Sequence, residues 1–411
     1  MAKKRDVIVI GGGASGLFAA ILCARAGKKV LVLEHKDRIG KKLLATGNGK
    51  CNYTNLVMPK GCYRGEHPEF ADFALSAFGA EDTIDFFKEL GIYPKNKNGY
   101  IYPNSEQAAS VVEVMEMALE YYHVEILCEE DVTEVVPEKK CFLVKGTKGT
   151  YQGRKVILAT GGQVSAKLGS DGSGYKIAKK LGHSVIKPVP ALIGFKCNES
   201  YYKELAGVRT EAEVSLFVDD KENCIATEQG ELQLTNYGVS GIPIFQISRF
   251  GARAIKERRK VFIKIDFFPS LDREEVYLLL IKRFKESKGK TAYQAMIGLL
   301  NKKLSKVLLT ESIIELRCSS ETVSEKQLHT LTDNIKGLYT SVFDTNGFEN
   351  AQVTAGGVST AEVEERTMES KLVPGVYFTG EILDIDGICG GYNLQWCWSS
   401  AYIAAMDIVK E

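Results

Sequence analysis

At 411 residues the chain is too long for one simple core and suits two or three domains of ordinary size. An apolar share of 45% and a charged share of 26% are those of a soluble globular protein, and a formal net charge of +1 gives no reason to expect nucleic acid or an anionic membrane as a partner. Ten cysteines without a CxxC, and five histidines without zinc spacing, argue against a disulfide framework and a structural metal; they read as buried free thiols in a reducing cytoplasm.

The chain opens on a strand pattern, residues 6–10, that runs into Gly11-x-Gly13-x-x-Gly16, then an apolar helix to Gly27 and a second strand at 30–33 ending on Glu34. This is the dinucleotide fingerprint in its required context. The first glycine permits the tight turn, the second lets backbone approach a pyrophosphate, and the third lets helix pack closely on strand. The pyrophosphate is expected on the free N–H groups at the helix start, and Glu34, near the usual spacing of about 20 residues, on the ribose diol. Lys3, Lys4 and Arg5 before this apolar stretch imitate a signal peptide, but cleavage near Ala24-Arg25-Ala26 would destroy the strand, turn and helix. Elsewhere no apolar run reaches the roughly 18 residues that a membrane helix needs.

A loop rich in glycine, lysine and small polar residues follows at 36–52, with enough backbone donors to wrap a flat polar cofactor. Cys51 within it reads as a packed thiol more readily than as a redox partner. Residues 68–91 predict two amphipathic helices, and 92–103 a hairpin turning at Lys97-Asn98-Gly99. A helix over 105–122 precedes strands at 124–127, 131–136 and 141–144. The run from Lys155 into Ala159-Thr160-Gly161-Gly162 then describes a buried parallel strand that stops at small residues against a ligand. Glycines at 169–174 lead into a short helix ending near Leu181, either as an anion-tolerant turn or as a plain N-cap by Ser173.

Pro188 and Pro190 mark a boundary. Beyond them strands are expected at 192–197, 208–218, 231–235 and 261–266, with a helix opened by Pro243, and helical spacing returns at 276–284, 295–300 and 328–335. The expected division is a first cofactor-binding part at 1–190, an inserted β-rich subdomain at 191–266, a helical subdomain at 267–336, a return strand at 337–352 and a C-terminal cofactor-binding part at 353–411. In that last part an apolar strand ends on Gly380-Glu381, which suits a ribityl hydroxyl, and Gly390-Gly391 opens an apolar helix over 394–408 whose positive end would face a flavin pyrimidine ring.

GGGASG at 11–16, KKLLATGNGKCN at 41–52, ATGG at 159–162, GSDGSGY at 169–175, TAGGV at 354–358, TMESK at 367–371 and GEILDIDGICGGYNLQWCWSS at 380–400 together resemble the BaiN-like (YhiN-type) family of NAD(P)/FAD-dependent oxidoreductases. The resemblance runs end to end. It implies an α/β fold: a Rossmann-like FAD-binding domain of flavin-disulfide-reductase type, made from both chain ends, with inserted β-rich and small helical subdomains. It also implies FAD contacts at Ser15, Glu34, Lys42, Asn48, Cys51, Asn52, Val132, Glu381 and Asn393. Ala14, Leu43, Thr46, Thr160, Gly161, Gly380, Gly391 and Leu394, in or beside the same motifs, complete the expected cofactor set with Gly11, Gly13 and Gly16.

The expected activity is hydride transfer from NADH or NADPH, a transient visitor since no second GxGxxG is present, through the flavin to a small apolar molecule such as a conjugated enone of bile-acid or steroid type. Tyr392, beside the flavin-facing glycines, is the first candidate proton donor, with Tyr237 and Arg249 from the insert as others. An amine or aminoketone oxidase using oxygen is one alternative. A flavin-carrying RNA-modifying or sensory protein is the other, against which the near-neutral charge counts. The expected protein is cytoplasmic, with no nucleic-acid or membrane partner; substrate identity and oligomeric state stay open.

Overall fold

Val7, Ile8, Val9 and Ile10, at the end of the strand Lys4–Ile10, are essentially without exposure, as a parallel strand covered on both faces requires. In the computed structural model, which describes residues 4–410, this strand is central to a seven-stranded sheet; Lys3 of the basic triplet lies outside the described residues. The order runs Glu125–Leu127, Val30–Leu33, Lys4–Ile10, Thr150–Leu158, Phe142–Gly146, Val132–Pro137. Thr150–Leu158 changes partner along its length. Its first residues pair antiparallel with Phe142–Gly146, and its last three pair parallel with Val376–Phe378.

Four strands, Val30–Leu33, Lys4–Ile10, Thr150–Leu158 and Val376–Phe378, are therefore mutually parallel. Their C-terminal ends share one edge, where open α/β sheets bind ligands. That edge collects Gly11, Glu34, Thr160 and Glu381 from positions far apart in the chain. The helix Ala14–Arg25 packs on the final helix Tyr392–Lys410, and Phe18 sits in an aromatic cluster with Phe78, Phe86 and Trp398 at centroid distances of 5.4, 4.4 and 5.5 Å.

The chain forms two compact units, Met1–Val189 with Gln352–Glu411, and Pro190–Ala351. The second is built on a closed antiparallel barrel in the order Phe195–Cys197, Gly238–Gly241, Cys224–Thr235, Arg209–Val218, Val261–Asp266, Leu338–Thr345. The last strand closes it by pairing with both Val261–Asp266 and Phe195–Cys197. Helix Ile242–Lys256 lies against the barrel, and a Cβ at Gly251 would sit 2.5 Å from the Phe195 ring, so the missing side chain sets that approach. Helices Arg273–Glu286, Ala292–Met296, Lys302–Glu311 and Glu325–Gly337 follow and share one hydrophobic cluster with the barrel. Capping boxes at Asp272, Thr291 and Ser324 start three of them.

The two units divide between Val189 and Pro190, within the strand Val185–Ala191 that carries both prolines. Two local expectations differ from the structure. Cys224–Thr235 is far longer than the expected strand at 231–235, because residues 224–231 carry no buried face to reveal it. Lys302–Glu311 is a full helix beyond the predicted helical spacing at 295–300.

Candidate functional site

At the shared strand edge lies a cavity of about 440 Å³, lined wholly by the unit formed from the two chain ends. The three fingerprint glycines have different reasons to be there. A Cβ at Gly11 would fall 2.4 Å from the Ala159 carbonyl oxygen, and one at Gly16 would fall 2.0 Å from that of Gly11. These two positions are closed by the protein itself. At Gly13 a Cβ would meet nothing within 4 Å, although Gly13 lines the cavity. Its glycine has no internal steric cause and leaves room for something outside the chain. Gly13 also starts the helix Ala14–Arg25 without any side-chain cap, and Gly13, Ala14 and Ser15 line the cavity, a setting whose first-turn N–H groups suit an anion.

Glu34 is held in place before any ligand arrives. Its Oε2 accepts from the Gly12 N–H at 2.7 Å and its Oε1 from the Lys36 N–H at 2.7 Å, and each oxygen keeps a further lone pair for a sugar hydroxyl. Gly12, which the sequence did not single out, is thus the donor that aims the carboxylate. Val132 lines the same end of the cavity together with Glu130, which is buried and anchored by the Tyr151 hydroxyl at 2.8 Å and the Lys148 N–H at 2.9 Å.

Toward the other end, Lys42 and Glu381, one from each end of the chain, form an ion pair at 2.7 Å, and the second Glu381 oxygen accepts from the Thr354 N–H at 2.7 Å. Leu43, Thr46, Thr160, Gly161, Asn393 and Leu394 line the wall around them. The Asn393 amide is also a local clamp: its oxygen accepts from the Gly387 N–H at 2.8 Å and its nitrogen donates to the Gly387 carbonyl at 2.9 Å. Among the buried polar atoms with no partner in the protein are Thr160 Oγ1 and His35 Nε2 in the cavity wall and Asn52 Oδ1 beside Gly391. Orphaned polar atoms next to a glycine-lined anion cradle fit a polar dinucleotide cofactor.

Not every expected residue is in the cavity lining. Gly16 serves helix packing, Gly380 and Gly391 lie behind the wall, Asn48 is exposed at φ +53°, and Asn52 and Cys51 sit outside. Cys51 is fully buried, and burial pushes its thiol up to about 12, so it is no thiolate. Tyr392 is buried, its hydroxyl donates to the Val57 carbonyl at 2.7 Å, and its own carbonyl accepts from the Tyr63 hydroxyl at 2.9 Å. Burial raises its pKa to about 12, so the proton stays, but that proton is committed to Val57. Tyr237, in the turn before Gly238–Gly241, and buried Arg249, on Ile242–Lys256, belong to the Pro190–Ala351 unit and do not line the cavity. His35, Ser170, Lys176, Val353 and Cys397 do line it and were not singled out; signals existed for Ser170 and Cys397, which fall in the motifs at 169–175 and 380–400.

Residues 5–407 match the HI0933-like protein Rossmann domain. The chain belongs to the HI0933-like family. Membership, with the glycine-lined edge of the sheet, makes it an FAD-binding oxidoreductase of Rossmann-like α/β fold. The 3-dehydro-bile acid delta(4,6)-reductase of Clostridium scindens is 43% identical over 96% of this HI0933-like chain and 97% of its own. The ribosomal RNA dihydrouridine synthase of Haemophilus influenzae is 33% identical over 100% of both chains. Among solved structures, the open conformation of a flavocytochrome c3 fumarate reductase superposes with a TM-score of 0.51 at 15% identity, covering 99% of this chain and 78% of that one, a likeness of fold alone. Among the described residues no group of His, Cys, Asp and Glu is arranged to hold a metal, and no helix is long and apolar enough to cross a membrane.

Proposed function

We propose that this HI0933-like protein uses FAD, recharged by NADH or NADPH, to reduce a carbon–carbon double bond conjugated to a carbonyl on an apolar, steroid-like small molecule. The observation that carries the substrate class is the 43% identity to a bile-acid delta(4,6)-reductase across nearly the whole of both chains. Bound FAD supplies two-electron hydride chemistry. The chain's own tasks are binding and electrostatics. The uncapped helix start at Gly13–Ser15 takes the pyrophosphate, Glu34 the adenosine ribose, and the Lys42–Glu381 pair sets a fixed charge arrangement at the opposite end. The start of Tyr392–Lys410 adds a positive helix end on the same side.

A second reading has support from the 33% identity to an rRNA dihydrouridine synthase over full length. The chemistry is related, because the uracil 5,6 double bond is itself conjugated to a carbonyl. Seven exposed lysines between Lys282 and Lys306 (282, 285, 288, 290, 302, 303 and 306) give the insert a local basic surface suited to phosphate. The two readings separate in one anaerobic stopped-flow series on the yellow protein. NADH or NADPH bleaches the flavin, and a 4-en-3-one steroid restores the colour on the enone reading. Restoration by rRNA fragments and not by the steroid moves the assignment to uridine; restoration by oxygen alone, with amines as donors, overturns both.

A further inference from the structure

His35 follows Glu34 directly, and the backbone on either side of it is locked. The Glu34 N–H donates to the Leu127 carbonyl at 2.9 Å, the Glu130 N–H to the Glu34 carbonyl at 2.9 Å, and the Glu129 N–H to the Lys36 carbonyl at 2.8 Å. The imidazole therefore leaves a hydrogen-bonded ladder, a more precise support than a free loop. Its side chain is mostly buried and lines the cofactor cavity.

The two ring nitrogens meet different surroundings. Nδ1 lies 3.5 Å from Asp131 Oδ1 and 3.9 Å from Asp171 Oδ2, and Asp171 is itself placed by accepting from the Ser173 N–H at 2.9 Å. Two carboxylates on that side favour a proton on Nδ1, and in the neutral ring this leaves Nε2 as an acceptor. Nε2 is buried and has no hydrogen-bond partner among the described residues. A buried ring nitrogen in that position has given up water for nothing inside the protein, which points to a partner that arrives with the ligand.

The neighbouring acceptor says which part of the ligand that is. A Cβ at Gly169 would lie 3.7 Å from His35 Nε2 and 4.0 Å from Glu34 Oε1. The two acceptors border one space, which Gly169 leaves open inside the cavity. Two adjacent acceptors match two adjacent hydroxyl donors, which a ribose diol supplies and the adenine ring does not. Resting on the FAD reading of this cavity, we propose that His35 is a second ribose-binding residue. Its Nε2 accepts from one hydroxyl of the adenosine diol while Glu34 takes the other, and Asp131 and Asp171 position the ring by holding the Nδ1 proton.

The test strips the protein of FAD and titrates it with FAD and with counterparts whose adenosine is 2′-deoxy or 3′-deoxy, reading flavin fluorescence. The native protein binds each deoxy counterpart about fivefold more weakly than FAD, the scale of one hydrogen bond. His35→Ala weakens FAD to the same extent and becomes indifferent to the loss of one hydroxyl, while loss of the other still lowers affinity through Glu34. His35→Gln, whose amide reaches the place of Nε2, recovers part of the loss, and His35→Asn, whose amide reaches only the place of Nδ1, does not. These two, closer to histidine in size, carry the comparison should His35→Ala fail to fold. Nitrogen NMR shifts of the His35 ring report the Nδ1–H tautomer in the native protein and move toward Nε2–H when Asp131→Asn and Asp171→Asn are combined, which a packing role alone would not cause. Native-like binding of FAD by His35→Ala, or an unchanged penalty for both deoxy counterparts in that variant, overturns the proposal. So does a hypoxanthine counterpart of FAD that binds weakly to the native protein but as well as FAD to His35→Ala, which assigns Nε2 to the adenine amine. A native protein that takes up no FAD removes the cofactor reading and the proposal together; FAD held tightly and independently of His35 removes the proposal alone.

Discussion

Two neighbouring glycines separate what the fold requires from what the ligand requires. Gly16→Ala places a methyl 2.0 Å from the Gly11 carbonyl, inside backbone that cannot move without the strand, so the apo-protein loses roughly 1–3 kcal/mol. Gly13→Ala meets nothing, so apo stability changes by no more than about 1 kcal/mol, the scale of an N-cap replacement, while FAD affinity falls tenfold or more because the methyl stands in the pyrophosphate's place. Thermal melts without cofactor, paired with fluorescence titration by FAD, check both halves. The fingerprint spacing already gave the two glycines different roles, and the Cβ directions supply the steric side of that difference. A second residue with a readable consequence is His183. Its Nε2 lies 2.8 Å from Ser370 Oγ, and burial, only partly offset by Glu362 at 3.3 Å, lowers its pKa. Below the ordinary histidine value of about 6.5 the unfolded chain takes a proton that the folded one refuses, so stability is full above that pH and is lost as pH falls below it, by up to about 1.4 kcal/mol per pH unit. Urea midpoints from pH 7.5 down to 5.5 should show this slope in the native protein and a flatter one in His183→Gln.

At the scale of elements, the final helix Tyr392–Lys410 joins the end of the chain to its beginning. Trp398 is wholly buried against Phe18 and Phe87, and its indole N–H donates to the Tyr53 carbonyl at 2.8 Å; Trp396 does the same for the Gly380 carbonyl at 3.1 Å. Trp398→Ala leaves a cavity and an orphaned carbonyl in the segment that follows Cys51-Asn52, and costs roughly 3–5 kcal/mol by urea denaturation. That the helix begins at a glycine pair was legible, as was the Lys4–Ile10 strand, because glycine turns and four-residue apolar runs are local signals. Lys302–Glu311 was not. Its first two residues and its fifth are exposed lysines, which read as loop until the buried Leu304, Val307 and Leu308 are seen to face one core. The strand Val185–Ala191 was hidden by Pro188 and Pro190, since proline in a sequence argues against a strand interior. The site was legible in the same proportion. The motifs gave Gly13, Glu34 and Glu381, but Glu130 and Val353 reach the cavity only through strand order, which no local pattern encodes.

For the whole molecule, a net charge of +1 concealed an uneven distribution: from Lys282 to Lys306 the insert carries Glu286 as its only acid among Arg283 and seven exposed lysines. A charge summed over two units says little about either, and the sequence argument against RNA loses its weight for the Pro190–Ala351 unit. The division of labour between the units is itself open to trial. The unit made from the two chain ends has its own hydrophobic cluster, and every residue lining the cavity belongs to it. Removing 191–351 and joining 190 to 352 by a short glycine–serine linker therefore leaves a chain with an intact core and a complete cofactor wall. It should purify yellow, with one FAD per chain by absorbance and a cooperative melt. The barrel and its helices form a second unit with a separate core, and the excised protein should lose steroid reduction or rRNA reduction, whichever the native protein performs, while its FAD remains. A colourless, aggregated product would show that the cavity wall needs the insert to form; retained turnover would place all substrate contacts in the cofactor unit.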